Sequence, residues 1–85
     1  MATVLITPEA QAEYDALPVV IRARVGDVLV RLAGWPNVSG AKPLRGGLAG
    51  NYRIRTGAYR VVFRPSADGE QVSVWKIGHR GGVYD

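Results

Sequence analysis

The dipeptide Gly57-Ala58 constrains this chain more than any other feature, because it separates two strand-like runs, residues 51–56 and 59–64, by the two residues of a tight hairpin. Glycine supplies the positive φ that opens a type II′ turn, and such turns match the right-handed twist of paired strands. Counting outward fixes the register. Thr56 faces Tyr59, Arg55 faces Arg60, Ile54 faces Val61, Arg53 faces Val62 and Tyr52 faces Phe63. Side chains alternate across a strand, so Tyr52, Ile54, Tyr59, Val61 and Phe63 line one face, while Arg53, Arg55, Arg60 and Arg64 line the other. The first set reads as a core face. The second sets Arg55 directly against Arg60, and like charges in that position cost stability, about 0.2–1 kcal/mol.

The remaining elements follow from caps and periodicity. Residues 3–6 are short, β-branched and apolar, and they end at Thr7-Pro8-Glu9, a cap, a first-turn proline and an acidic first turn. Ala10, Tyr14 and Leu17 share one helical face, and Pro18 separates this helix from a second over residues 19–33, whose buried stripe is Ile21, Val25, Val28, Leu29 and Leu32. Gly34-Trp35-Pro36 breaks it. Residues 36–50 are rich in glycine, proline, asparagine and serine and read as an irregular connection carrying Lys42 and Arg45. A last strand is expected over residues 71–77. There Val72, Val74 and Lys76 alternate with Ser73, Trp75 and Ile77, so neither set is cleanly apolar; Trp75 is assigned to the core rather than to a base-stacking role. The order βααβββ predicts an α+β fold, a helical hairpin packed on one face of a mostly antiparallel four-stranded sheet. The other face is left open.

With 85 residues the chain makes one domain, residues 1–85, with room for a single site. There is no cysteine and one histidine, so neither a disulfide framework nor a thiolate metal site is available; no metal and no cofactor are expected. No secretory leader and no membrane span are legible, which together with the missing cysteines predicts a cytoplasmic protein without a membrane partner. The formal net charge is +4. No acidic residue falls between Asp27 and Asp68, whereas Arg31, Lys42, Arg45, Arg53, Arg55, Arg60 and Arg64 all do. Such a field favours an anionic partner, nucleic acid or an acidic protein. Lys42 and Arg45 fit a phosphate clamp on the loop, and equally a role in solubility.

Arginine keeps its proton and presents a planar fork of donors, which suits a phosphodiester passing through a doubly charged, five-coordinate state. The competing reading is a solvated basic face whose repulsion is screened. After Ile77 the chain reads Gly78-His79-Arg80-Gly81-Gly82-Val83-Tyr84-Asp85, which gathers proton-handling and phosphate-binding residue types at one end of the sheet.

Three motifs in order carry a resemblance: 44–55 (LRGGLAGNYRIR), 57–63 (GAYRVVF), and Ile77-Gly78-His79-Arg80 followed by Val83-Tyr84. Together they resemble the RelE branch of the RelE/ParE toxins of type II toxin–antitoxin systems, over nearly the whole chain. The resemblance implies a fold similar to small microbial ribonucleases and metal-independent cleavage of messenger RNA in the ribosomal A site. It also implies a cognate antitoxin as partner. By motif, Arg53 and Arg55 fall where the family has basic residues on the first hairpin strand, and Arg60 at its phosphate-binding arginine. Arg80 falls at the arginine tied to transition-state stabilisation or leaving-group protonation, and Tyr84 at the tyrosine that stacks on or orients the nucleotide. Arg64 shares the face by counting but has no matching family role; with Lys42 and Arg45 it is assigned to RNA binding.

Two departures stand out. Arginines replace the lysines that some members carry in the first strand, and a side chain that keeps its proton in proteins is a poor general base. His79 is then the better candidate for proton transfer, since histidine is the residue type that titrates near neutrality. The sequence also ends at Asp85, short of the C-terminal helix of some relatives. Two rival functions stand beside this one: a ParE-like poison of DNA gyrase, a branch that resembles the same scaffold without the full set Arg53, Arg55, Arg60, Arg80 and Tyr84, and a non-catalytic module that binds nucleic acid through the basic face alone.

Overall fold

Thr7 ends the first strand and starts the first helix. In a computed structural model that describes residues 1–79, strand β1 (Thr3–Ile6) gives way to helix α1 (Pro8–Asp15). The Thr7 Oγ1 accepts the Ala10 N–H at 3.2 Å, and Pro8 occupies a position where no N–H is needed. Helix α2 (Val19–Arg31) follows Pro18, and its expected last residues tighten into a 3-10 turn, Leu32–Gly34, ahead of Trp35. Among the described residues no helix is long and apolar enough to cross a membrane.

Strands β3 (Tyr52–Thr56), β4 (Tyr59–Pro65) and β5 (Gln71–His79) pair antiparallel, and β1 lies parallel to β5 at one edge. A fifth strand, β2 (Lys42–Pro43), closes the other edge, giving the order β1-β5-β4-β3-β2. This strand falls in the segment read as irregular, so the sheet has five strands rather than the expected four. Two residues carry no periodicity, and a proline is tolerated on an edge strand because its missing donor faces outward.

The helical hairpin covers one face. Ala10, Val25, Val28 and Leu32 from the helical segments meet Ile54, Val61, Phe63, Val72, Val74 and Ile77 from the sheet, with Tyr14, Leu17, Ile21 and Leu29 packed around them. At one end of this core Trp35 and Tyr52 bracket Phe63, with ring centroids 4.8–5.8 Å apart. The β4–β5 turn is tied by side chains. The Ser66 hydroxyl donates to Asp68 at 2.6 Å and the Glu70 N–H donates to the same carboxylate at 2.9 Å, which holds the Asp68 carboxyl below the ordinary carboxylate range.

A bulge settles the mixed pattern of the last strand. Val62 pairs with Lys76 but Phe63 pairs with Val74, so Trp75 is an extra residue on β5. The shift lets Val72, Val74 and Ile77 all point into the core although strict alternation forbids it. Trp75 is thereby displaced from the core face, contrary to its sequence assignment, and lies on the arginine face.

Candidate nucleic-acid interface

The face opposite the helices is organised by the β3–β4 hairpin. Gly57 has φ +61° and no non-glycine residue in the described chain has positive φ, the sign pattern of a glycine-first two-residue turn. Arg55 pairs with Arg60 and Arg53 with Val62, as counted from the turn. Lys42 pairs with Arg53 across β2 and β3, which extends the basic row to the sheet edge. On the other side Arg60 faces Gly78.

These cations lie at different depths. Arg55 is exposed, Arg53 half-buried, and Arg60 only 3% exposed. Gly78, its partner on β5, has no side chain and leaves room beside Arg60. Val62 is fully buried yet stands outside the core cluster. Its register neighbours are Arg53 and Lys76, with Arg60 and Arg64 two residues away along β4. Side chains of the open face therefore cover it, and the Arg60 guanidinium is itself drawn into that layer instead of standing clear of it.

Arg64 is exposed and its guanidinium rests on Gly50: a Cβ there would sit 3.4 Å from its carbon and both terminal nitrogens. Gly50 also has φ +94°, so the backbone there calls for glycine. The loop before β3 is closed by Leu44 N–H to Asn51 O at 2.9 Å and Asn51 N–H to Leu48 O at 3.0 Å, and Arg45 is exposed on it. His79 pairs with Tyr59 at the end of β5, and their rings meet edge to face at 5.2 Å. Because Gly78 takes the arginine face, alternation puts His79 on the opposite side, exposed at the sheet end. Of the expected site residues, the structure thus brings together Lys42, Arg53, Arg55, Arg60 and Arg64, and sets His79 and Arg45 apart from them. Arg80 and Tyr84 lie outside the described residues.

Three contributors have no signal in sequence spacing. Asn51, 6% exposed, accepts the Trp75 indole N–H at 2.9 Å and donates to Leu48 O at 3.0 Å. Glu13 on α1 takes over where β1 stops: its carboxylate accepts the Ile77 N–H at 3.0 Å and bonds the Lys76 ammonium, drawing that cation over the sheet edge. Arg24 on α2 reaches the hairpin turn, with its guanidinium 3.7 Å from where a Cβ on Gly57 would lie.

The facing arginines give a direct expectation. Replacing exposed Arg55 with threonine removes the like-charge pair and inserts a strand-favouring residue, so stability rises by about 0.2–1 kcal/mol. Urea unfolding at low salt checks it, and a loss of stability would show that the two guanidinium groups do not repel.

Residues 4–84 match the family described as the ParE toxin of the type II toxin–antitoxin system parDE. Toxin RelG of Mycobacterium tuberculosis is 30% identical over 82 residues, spanning 96% of this chain and 94% of the relative. The RelBE2 toxin–antitoxin complex from Mycobacterium tuberculosis contains a chain that is 30% identical with a TM-score of 0.80, over 93% of this chain and 98% of that one. The isolated toxin RelE of E. coli shares the fold at 22% identity, with a TM-score of 0.78 over 93% of this chain and 84% of that one. The scaffold is that of a type II toxin, and the chain belongs to the RelE/ParE family.

Proposed function

We propose that this toxin is a ribosome-dependent messenger-RNA endoribonuclease that arrests translation. The observation that supports this most is the hairpin register, which sets Arg55 against Arg60 beside Arg53 on a face that no helix covers. A structural role would not favour that pair, because it costs stability. A phosphodiester in the A site would recover it.

In the proposed reaction a ribose 2′-hydroxyl loses its proton and attacks the adjacent phosphorus. The bond to the 5′ oxygen breaks, that oxygen takes up a proton, and the products are a 2′,3′-cyclic phosphate and a 5′-hydroxyl. Buried Arg60 is assigned to the phosphate, where its charge offsets what develops on the non-bridging oxygens. Arg53 and Arg55 bind and neutralise the same strand, and Lys42, Arg45 and Arg64 extend the electrostatic track along flanking phosphates. Arg80 is assigned to the leaving-group side and Tyr84 to the nucleotide base. His79 is the proposed proton carrier, acting from the end of β5.

The setting proposed is cytoplasmic, with a cognate antitoxin, as in the mycobacterial toxin–antitoxin complex. A second reading, inhibition of DNA gyrase, is favoured by one finding, that the matching family is described as ParE. Incubating the purified toxin with translating ribosomes and mapping messenger ends decides between them. Cuts with 5′-hydroxyl ends within A-site codons are expected; intact messages together with gyrase-linked DNA breaks would exclude the nuclease.

A further inference from the structure

Trp75 occupies a position that the reaction above does not use. It is the extra residue of the β4–β5 bulge, on β5, yet its indole N–H is bonded to Asn51, which immediately precedes β3. Strand β4 runs between them. Adjacent strands are about 4.8 Å apart, so two strand spacings put β5 roughly 10 Å from β3. A hydrogen bond over that span requires the tryptophan to lie across β4 at the level of Val62 and Arg64. The full burial of Val62, which faces away from the core, agrees with such a roof.

The ring is held as well as placed. Asn51 is itself buried and tied to the Leu48 carbonyl, so the indole edge is anchored to a fixed acceptor. Trp75 is itself only half-buried, so part of its ring stays accessible. Tyr52, Tyr59, Phe63 and Trp35 all lie on the helix side, so among the described residues Trp75 is the one aromatic ring on the arginine face. A ring fixed in orientation and partly accessible, on the sheet face that also carries Arg53 and Arg64, combines the two ingredients by which proteins hold single-stranded nucleic acid, a stacking surface and a cationic track.

We infer that Trp75 is a nucleobase-stacking subsite, holding one base of a single-stranded RNA over strand β4 while Arg53 and Arg64 contact the flanking phosphates. This rests on the RNA-directed reading of the face, though not on cleavage. A flat indole stacks on any base, with purines favoured by their larger area. The subsite therefore sets where the strand lies relative to Arg60 more than which letter is read.

Trp35 and Trp75 are the two tryptophans of the chain. In a Trp35→Phe background, with the fold checked by circular dichroism, all tryptophan emission comes from Trp75. The probe is a single-stranded oligoribonucleotide with 2′-O-methyl riboses, which cannot be cut, alongside an abasic strand of equal length. Emission is expected to be quenched by the first strand and unchanged with the second. In the otherwise native chain, Trp75→Leu is expected to weaken binding about ten-fold while Trp75→Phe stays within about three-fold, in line with the cost of deleting one stacking ring. Absence of saturable binding, unchanged emission at saturation, or equal affinities of native and Trp75→Leu proteins would each overturn the inference. Messenger cleavage on ribosomes is scored separately. Quenching without cleavage leaves the stacking site standing and removes the nuclease, and cleavage indifferent to Trp75 does the reverse.

Discussion

Replacing Arg60 with alanine is expected to lower single-turnover cleavage on programmed ribosomes by about two to three orders of magnitude, the size of effect seen when one preorganised charge-stabilising donor is removed. The argument is one of depth. Arg55 and Arg60 are partners in the same register, but Arg55 is exposed and Arg60 is 3% exposed with only Gly78 across from it on β5. A cation held in place by its surroundings needs little reorganisation when charge develops beside it, whereas an exposed guanidinium must first give up solvent and rotamer freedom. Arg60→Lys should recover part of the rate, because lysine keeps the charge but not the planar fork. Alanine at exposed Arg45 should instead leave turnover unchanged and reduce the salt dependence of RNA binding by somewhat under one counterion, as expected for one phosphate contact on a single strand. Native-like cleavage by a folded Arg60→Ala protein would remove this arginine from the chemistry.

Much of that arrangement is legible without a structure, for a definable reason. A two-residue turn containing glycine pins a hairpin register, and a register assigns every side chain along both strands to a face. The start of α1 is legible for a similar reason, because Thr7-Pro8-Glu9 is a local signal read over three residues. What escapes is non-local or too short to repeat. Strand β2 is two residues long and shows itself only by what it pairs with. The bulge at Trp75 shifts the pattern by one residue, and a stretch in which Lys76, Trp75 and Val74 could each face either way offers no means of placing it. The Glu13 contact with Ile77 spans 64 positions of sequence, beyond any spacing rule. Burial also separates residues that composition treats alike: Arg55 and Arg60 differ because of what stands beside them, not in themselves. The same limit applies to His79, whose type suits proton transfer but whose face is fixed by the count from Arg60 and Gly78.

The hairpin that carries the arginines depends on its other face, so the largest stability effect is expected at Phe63. This side chain is fully buried and is met by Trp35 edge-on at 5.4 Å and by the Tyr52 ring, nearly parallel, at 5.8 Å. Phe63→Ala removes the ring that both others touch, and large-to-small changes of this kind cost about 3–5 kcal/mol, with ring pairing accounting for part of it. A domain of this length has a total stability of only about 4–13 kcal/mol. The variant is therefore expected to lose about a quarter or more of its stability, visible as a lower urea midpoint with a preserved slope. Phe63→Leu should fall well short of that loss, since it refills most of the volume. Phe63 and Arg60 sit on one strand with opposite orientations, so loosening the first frees the backbone that aims the second. Cleavage by Phe63→Ala should thus fall under conditions where most molecules are still folded. If activity instead tracks the folded fraction alone, Arg60 is held by its immediate neighbours on the open face and not by the aromatic packing beneath it.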